Sequence, residues 1–436
     1  MLTPVRIGTP EGSAILARLL DRFQIADRRC QEEVAAIIER VTVEGDNALL
    51  DYTRRFDCPG FRRGQFRVSK KELRDAYREV PAALRQSLEL AIDRIHSFHE
   101  REREESWVMT RDDGTITGRM VHPVPAAGLY VPGGTSGKTP LVSSVLMNGI
   151  PAAIAGVERR VMVTPPNAES RVEPALLVAA QEIGVTEIYK VGSAWAIAAL
   201  ALGTDSIPRV DVVCGPGNRY VTEAKRQLSG RVRIDMIAGP SEVLIVADGT
   251  AEPAFIAADL LAQAEHDPAA LAVLVATDSR VAAAVLVELE RQLAGLERQE
   301  IARESLANRG AILLVEDLDE ALFLANQIAP EHLELMVHEP FQWLSRVSHA
   351  GAVFIGPHSP EAMGDYVAGP NHVLPTMGTA RFSSALGVET FLKKTSVIAY
   401  AREAFLADAA HVERLATLEG LTGHARSVQV RRGNAV

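Results

Sequence analysis

Val161-Met162-Val163-Thr164, then Ile188-Tyr189-Lys190-Val191-Gly192, then Val210-Asp211-Val212-Val213-Cys214-Gly215-Pro216-Gly217-Asn218: these runs decide the fold. Each is a short, β-branched, apolar run, too brief for a helix. Between them lie longer segments with helical content, one ending near Gly184 and one running through Leu202. Strand, helix, strand in this order implies a parallel sheet with crossover helices covering both faces.

Working outward, Ala127-Gly128-Leu129-Tyr130-Val131-Pro132-Gly133-Gly134 reads as a strand that ends in Pro-Gly-Gly, followed by a helix over about 142–155. Ligands of parallel α/β sheets bind beyond the carboxyl ends of the strands. Tyr130, Gly133, Gly192 and Gly217 all fall at such ends. On spacing alone these turns serve equally as a dinucleotide cradle or as ordinary tight turns, because no Gly-x-Gly-x-x-Gly is present. Ser136-Gly137-Lys138-Thr139 mimics a triphosphate loop, but Pro132 occupies the position of its first glycine, and the pattern fails. A second α/β unit follows, with strands over 243–247, 271–277, 311–315 and 353–356 and helices over 252–265, 280–293 and 318–327. Upstream, residues 10–105 read as helical: Val34, Ile37, Ile38 and Val41 recur at helical spacing, as do Leu84, Leu88, Ile92 and Ile95. The tail from 381 reads as mostly helical and amphipathic, with Gly420 stopping its last helix.

Composition narrows the function. The 436 residues are 47% hydrophobic, ordinary for a chain with a real core, and carry a net charge of −10. That sign argues against a nucleic-acid or anionic-membrane surface. Cys30, Cys58 and Cys214 are odd in number and widely spaced, without Cys-x-x-Cys, which suits a reducing cytoplasm. The first residues lack the apolar run of a signal peptide, and no stretch approaches the roughly 20 apolar residues of a membrane span. The expectation is a cytoplasmic protein.

Four polar clusters carry candidate chemistry. In Ala329-Pro330-Glu331-His332-Leu333-Glu334, a proline disfavours helix at the preceding residue and puts a carboxylate beside an imidazole in a bend. An imidazole with a pKa near 6.5 exchanges protons at neutral pH. Gln263 and His266 lie three apart near a helix end, Asp365 and His372 flank a Gly-Pro loop, and Glu419 and His424 follow in the tail. Histidine, carboxylate and glutamine suit a borderline divalent ion; equally, such groups satisfy one another around loops. His96 and His99 also lie three apart, but without a nearby carboxylate to complete a site, and read as surface residues.

The chain resembles the histidinol dehydrogenase family over nearly its whole length. The resemblance rests on Gly128–Gly134, Gly215-Pro216-Gly217-Asn218, Ala238-Gly239-Pro240-Ser241-Glu242-Val243, Asp259-Leu260-Leu261-Ala262-Gln263-Ala264-Glu265-His266, Ala329–Glu334 and Gly369-Pro370-Asn371-His372. It implies a zinc ion held by Gln263, His266, Asp365 and His424. It implies His332 as general base and Glu331 as the group that activates water. Substrate contacts would be Ser241, Glu331, His332, Asp365, His372 and Glu419, together with the zinc ligands. NAD would lie near Tyr130, the turn at Gly192 and Asn218. The implied reaction is the four-electron oxidation of L-histidinol to L-histidine through bound L-histidinal, with two NAD. Glu419 and His424 would reach into the other subunit's site, which implies a homodimer.

The architecture expected from pattern and resemblance together is α/β. It has a helical N-terminal region (1–122), a Rossmann-like NAD-binding domain (123–235), a second Rossmann-like domain with the metal and catalytic residues (236–380), and a small helical dimerisation tail (381–436). Two departures from the family fall in the cofactor region. Gly192-Ser193-Ala194-Trp195 places tryptophan where many members have glutamine, so that Trp195 either stacks on the cofactor or packs. The loop 135–139 is also longer than usual. These leave an alternative, a relative that oxidises another small alcohol such as a sulfonated diol, although a sulfonate calls for a cation where Glu419 stands. A non-catalytic metal- or nucleotide-binding protein is the reading from another class.

Overall fold

The computed structural model describes residues 2–23, 27–133 and 140–433. The loop 135–139 lies outside the described residues. The chain divides into two compact units, Met1–Glu102 with Val124–Phe391, and Arg103–Pro123 with Leu392–Val436.

The first unit contains two parallel sheets. One has the strand order Glu187–Lys190, Arg159–Thr164, Ala126–Tyr130, Val212–Cys214, Arg233–Ile234, all parallel. Its central strand is buried throughout, as is Val212–Cys214. This is why these segments read as continuous apolar runs rather than alternating ones. Helices Val142–Ile154 and Pro174–Glu182 pack with Leu129 and Met162 on one face. On the other face Ser193–Leu202 and Arg219–Leu228 pack with Val161, Val163 and Val213. Ser193–Leu202 is buried on nearly every side, because helix Arg28–Glu44 contributes Val34 and Val41 to the same cluster and Asp46–Phe56 contributes Leu49 and Tyr52. Its alanines allow that close packing on both sides.

The second sheet has six parallel strands in the order Pro4–Arg6, Ala311–Leu314, Leu271–Ala276, Glu242–Ala247, His332–Met336, Ala352–Ile355. The two-sheet α/β expectation is borne out. Pro4–Arg6 falls in a region read as helical; three residues at an edge, opening on a proline that donates no hydrogen bond, leave no pattern to read. His99 is a core residue rather than a surface one, its Nδ1 donating to the Ile95 carbonyl at 2.8 Å, while His96 is exposed.

The second unit is an antiparallel sheet, Leu392–Ala399, Ile116–Pro123 and Trp107–Thr110, with helices Arg402–Leu418 and Thr422–Arg431. The tail is therefore not helical from its start. Lys393, Lys394, Thr395 and Ser396 precede the β-branched Val397 and Ile398, and the strand is exposed along most of its length, so no alternation marks it. Gly420 (φ +71°) ends the helix Arg402–Leu418, and one more helix follows it. Among the described residues no helix is long and apolar enough to cross a membrane.

Candidate active site and metal centre

Helix Leu318–Ile328 ends at Ala329, a non-glycine residue in the left-handed region (φ 50°), and Pro330 prevents the chain from resuming it. Two residues later His332 opens a strand paired on both sides, with Val243 and with Ala352. Glu331 and His332 therefore stand at the amino edge of the six-stranded sheet, where the crossover helices finish. Helix Pro253–Ala264 delivers Gln263 from its last turn, and His266 follows two residues beyond its end. The five-stranded sheet obeys the usual rule: Tyr130 closes its central strand, and Gly192 and Asn218 cap helices beyond its carboxyl edge.

His332 is 3% exposed, and its Nδ1 lies 2.9 Å from the Glu242 carbonyl oxygen. A carbonyl only accepts, so the proton sits on Nδ1 and the free lone pair on Nε2. Burial lowers the imidazole's pKa to about 4, with His372 and His266 adding to the effect. The ring is neutral near pH 7, so the carboxyls of Glu331 and Glu361, 3.7 and 3.8 Å from Nδ1, are neighbours rather than ion pairs. Glu331 is buried and accepts from the Glu242 backbone N–H at 2.8 Å. Burial raises its carboxyl well above the usual range, and the Glu242 and Asp365 carboxylates push the same way. A carboxylate so raised is a stronger base than an exposed one.

His266, Glu361 and Asp365 offer ligand atoms that all lie within 4.8 Å of one another. Burial raises Asp365 to about 6 and Glu361 well above the carboxylate range, so a divalent cation is what would hold both ionised. Gln263 is fully buried, and neither its Oε1 nor its Nε2 has a hydrogen-bond partner. A buried carboxamide left unpaired is costly, and it marks where a partner from outside the chain belongs. An imidazole, two carboxylates and an amide oxygen suit zinc or a similar ion. Glu361 was not among the residues picked from sequence. The available signal was its spacing, four residues before Asp365 on the helix Glu361–Tyr366, which puts both on one face. Its backbone N–H donates to Glu334, whose carboxyl burial and the neighbouring Asp259 raise, and burial raises Asp259 to about 6. That pair was also missed.

His372 Nδ1 donates to the Asp365 carbonyl at 3.1 Å, which leaves its Nε2 free, and burial lowers its pKa to about 4. Ser241 lies one residue before the strand Glu242–Ala247. Glu419 and His424 lie in the second unit, both exposed, at the end of one helix and within the next.

At the other sheet, the Tyr130 hydroxyl accepts from the Ser193 N–H at 3.2 Å. Gly215 (φ +113°) is required there, because a Cβ would meet the Tyr130 carbonyl oxygen at 2.1 Å. Asn218 caps its helix through Tyr220 N and Val221 N. Trp195 is 5% exposed and stacked on Tyr52 and Phe56, with ring centroids 5.3 and 5.5 Å apart, so these protein rings already cover it. Asp57, not singled out in the sequence, has a buried carboxylate oxygen without a partner, and burial raises its pKa to about 7.

A family model described as histidinol dehydrogenase matches residues 20–432. A histidinol dehydrogenase of Desulfotalea psychrophila is 63% identical over 431 residues, covering 99% of both chains. One of Oleidesulfovibrio alaskensis is 54% identical, covering 91% of this chain and 92% of its own. The crystal structure of histidinol dehydrogenase from Elizabethkingia anophelis superposes with a TM-score of 0.92 at 35% identity, covering 99% of this chain and 98% of that one.

Proposed function

The chain belongs to the histidinol dehydrogenase family, and from that premise we propose how its own residues divide the reaction. The protein is a zinc-dependent, NAD-linked oxidoreductase that converts L-histidinol to L-histidine. The sulfonated-diol alternative finds no support among these relatives. Alcohol to aldehyde and aldehyde to acid are two hydride transfers, so two NAD are reduced and one water is consumed.

His332 Nε2 accepts the hydroxyl proton as the first hydride departs. The Nδ1–H bond to Glu242 keeps the ring from turning away during the transfer. Glu331, held through Oε2 by the Glu242 N–H, takes a proton from the water that adds to the bound aldehyde. Gln263, His266, Asp365 and His424 would hold the zinc, and Glu361 shares the group of ligand atoms that His266 and Asp365 form. Zinc, when bound, polarises the alcohol oxygen and helps fix the amino alcohol. Ser241, His372 and Glu419 complete the substrate contacts, and Tyr130 and Asn218 line the region that receives NAD; Trp195 supports that region from the stack it forms with Tyr52 and Phe56. The observation that carries this assignment is the neutral His332, its lone pair confined to Nε2, beside an acid-lined group with an orphaned Gln263.

The protein acts as a cytoplasmic homodimer with shared sites. Exposed Val108, Ile398, Leu415 and Leu418 in the second unit, the last 84% exposed, support a covering partner subunit. NADH formed per L-histidinol consumed tests the reaction: two, lost on chelation and restored by zinc, is the expected result. No turnover by folded, zinc-loaded protein would overturn it.

A further inference from the structure

We propose that Arg22 is a positioning residue for the catalytic pair, acting through Glu242 on both Glu331 and His332. The proposal rests on the assignment of those two residues above.

The Arg22 guanidinium is 5% exposed and has a partner for each nitrogen. Nε donates to Glu242 Oε1 at 2.6 Å and Nη2 to Oε2 at 2.8 Å, a two-pronged grip that only a planar guanidinium makes. Nη1 donates to the Leu19 carbonyl at 2.8 Å. Nη2 also reaches the Ala329 carbonyl at 3.2 Å. The Glu242 carboxylate takes one more bond, from Met377 N at 3.0 Å, which fixes it from a third segment.

What Glu242 does with its main chain gives this grip its consequence. Its N–H donates to Glu331 Oε2 at 2.8 Å and its carbonyl accepts from His332 Nδ1 at 2.9 Å. Both reacting groups are thus aimed by one residue's backbone, and that residue's side chain is held by Arg22. The bond to Ala329 adds a second hold, because Ala329 is the left-handed residue from which the chain turns into Pro330-Glu331. Arg22 therefore fastens the catalytic dipeptide both from the neighbouring strand and from the turn that precedes it. A buried ion pair is weak evidence for a purely stabilising role, since apolar substitutes often stabilise a fold as well. Orientation is what an apolar substitute does not reproduce.

The test compares Arg22→Met, Arg22→Lys and Glu242→Gln with the parent in kcat, KM for L-histidinol and zinc per subunit. Arg22→Met should lower kcat about 10- to 100-fold, the scale of a small misplacement of reacting groups. KM and zinc content should stay within about twofold. Arg22→Lys, which keeps the charge without the fork, should fall between. Parental kcat in Arg22→Met would overturn the proposal, as would a loss fully explained by lost zinc or lost folded protein. Should Arg22→Met fail to fold, Glu242→Gln retains the bulk and one strong acceptor. It should lower kcat about 3- to 10-fold at unchanged KM, and parental kcat there would also overturn the proposal. A parent protein that never oxidises L-histidinol, or a fully active His332→Asn, counts instead against the assignment on which this role rests.

Discussion

Replacing Gln263 by methionine should make the metal-free protein more stable and should remove most of the further stability that zinc confers. Gln263 is wholly buried, and both heteroatoms of its amide lack a partner. Each such atom costs about 1–3 kcal/mol. Methionine has nearly the same length and shape and asks for no hydrogen bond, so the metal-free variant should gain about 2–4 kcal/mol. Unfolding entropy scales with chain length, which for a unit of about 370 residues turns this gain into a rise in Tm of roughly 3–5 °C. Zinc narrows that lead. At a hundredfold its Kd, zinc adds about 2.7 kcal/mol to the parent, and a lost ligand removes most of that increment at the same concentration. Calorimetric melting after chelation and again with added zinc, with zinc content measured alongside, reads both halves. A metal-free Gln263→Met that melts below the parent would refute the reasoning. So would a variant whose Tm zinc raises as far as it raises the parent's.

His332→Asn should lower kcat by about 10²- to 10⁴-fold with zinc content unchanged, and near-parental turnover would remove it from the base role. His424→Ala should lower zinc per subunit. Mixed with His332→Asn under proven subunit exchange it should regain part of the activity, and no recovery would place each site within one chain. Asp57 holds a proton in the folded chain that the unfolded chain releases, because burial raises its carboxyl from 3.8 to about 7. Stability from this group therefore falls as pH rises between about 4 and 7, by about 2–4 kcal/mol in all. Asp57→Asn should then be more stable than the parent at pH 8 and nearly equal to it at pH 4, in melting curves without cofactor.

The parallel sheets were legible because strands buried on both faces, such as Val212–Cys214, are uninterrupted apolar runs between glycine turns. The strands of the second unit were not, since Leu392–Ala399 is exposed along most of its length and finds its partner Ile116–Pro123 more than half the chain away. In the site, Gln263, His266, Glu331, His332 and Asp365 could be picked by residue type, spacing and motif. Glu361 sits on a helix of 6 residues, too short to display a period. Arg22 and Glu242 are 220 residues apart, so their contact is a product of folding that no local pattern carries. Trp195 stacks on Tyr52 and Phe56, which come from a distant helix, so its packing role could not be read from its neighbours in sequence.

The opposed edges used by the two sheets sort ligands by charge before any side chain is considered. At the amino edge of the six-stranded sheet, helices Pro253–Ala264 and Leu318–Ile328 present their carboxyl ends, the negative poles of their peptide dipoles, toward Glu331, Glu361 and Asp365. At the carboxyl edge of the five-stranded sheet, Ser193–Leu202 and Arg219–Leu228 present their positive poles. On the function proposed above, the first place would favour an amine-bearing alcohol and a metal cation and the second a pyrophosphate, each helix end contributing about 0.3–1 kcal/mol.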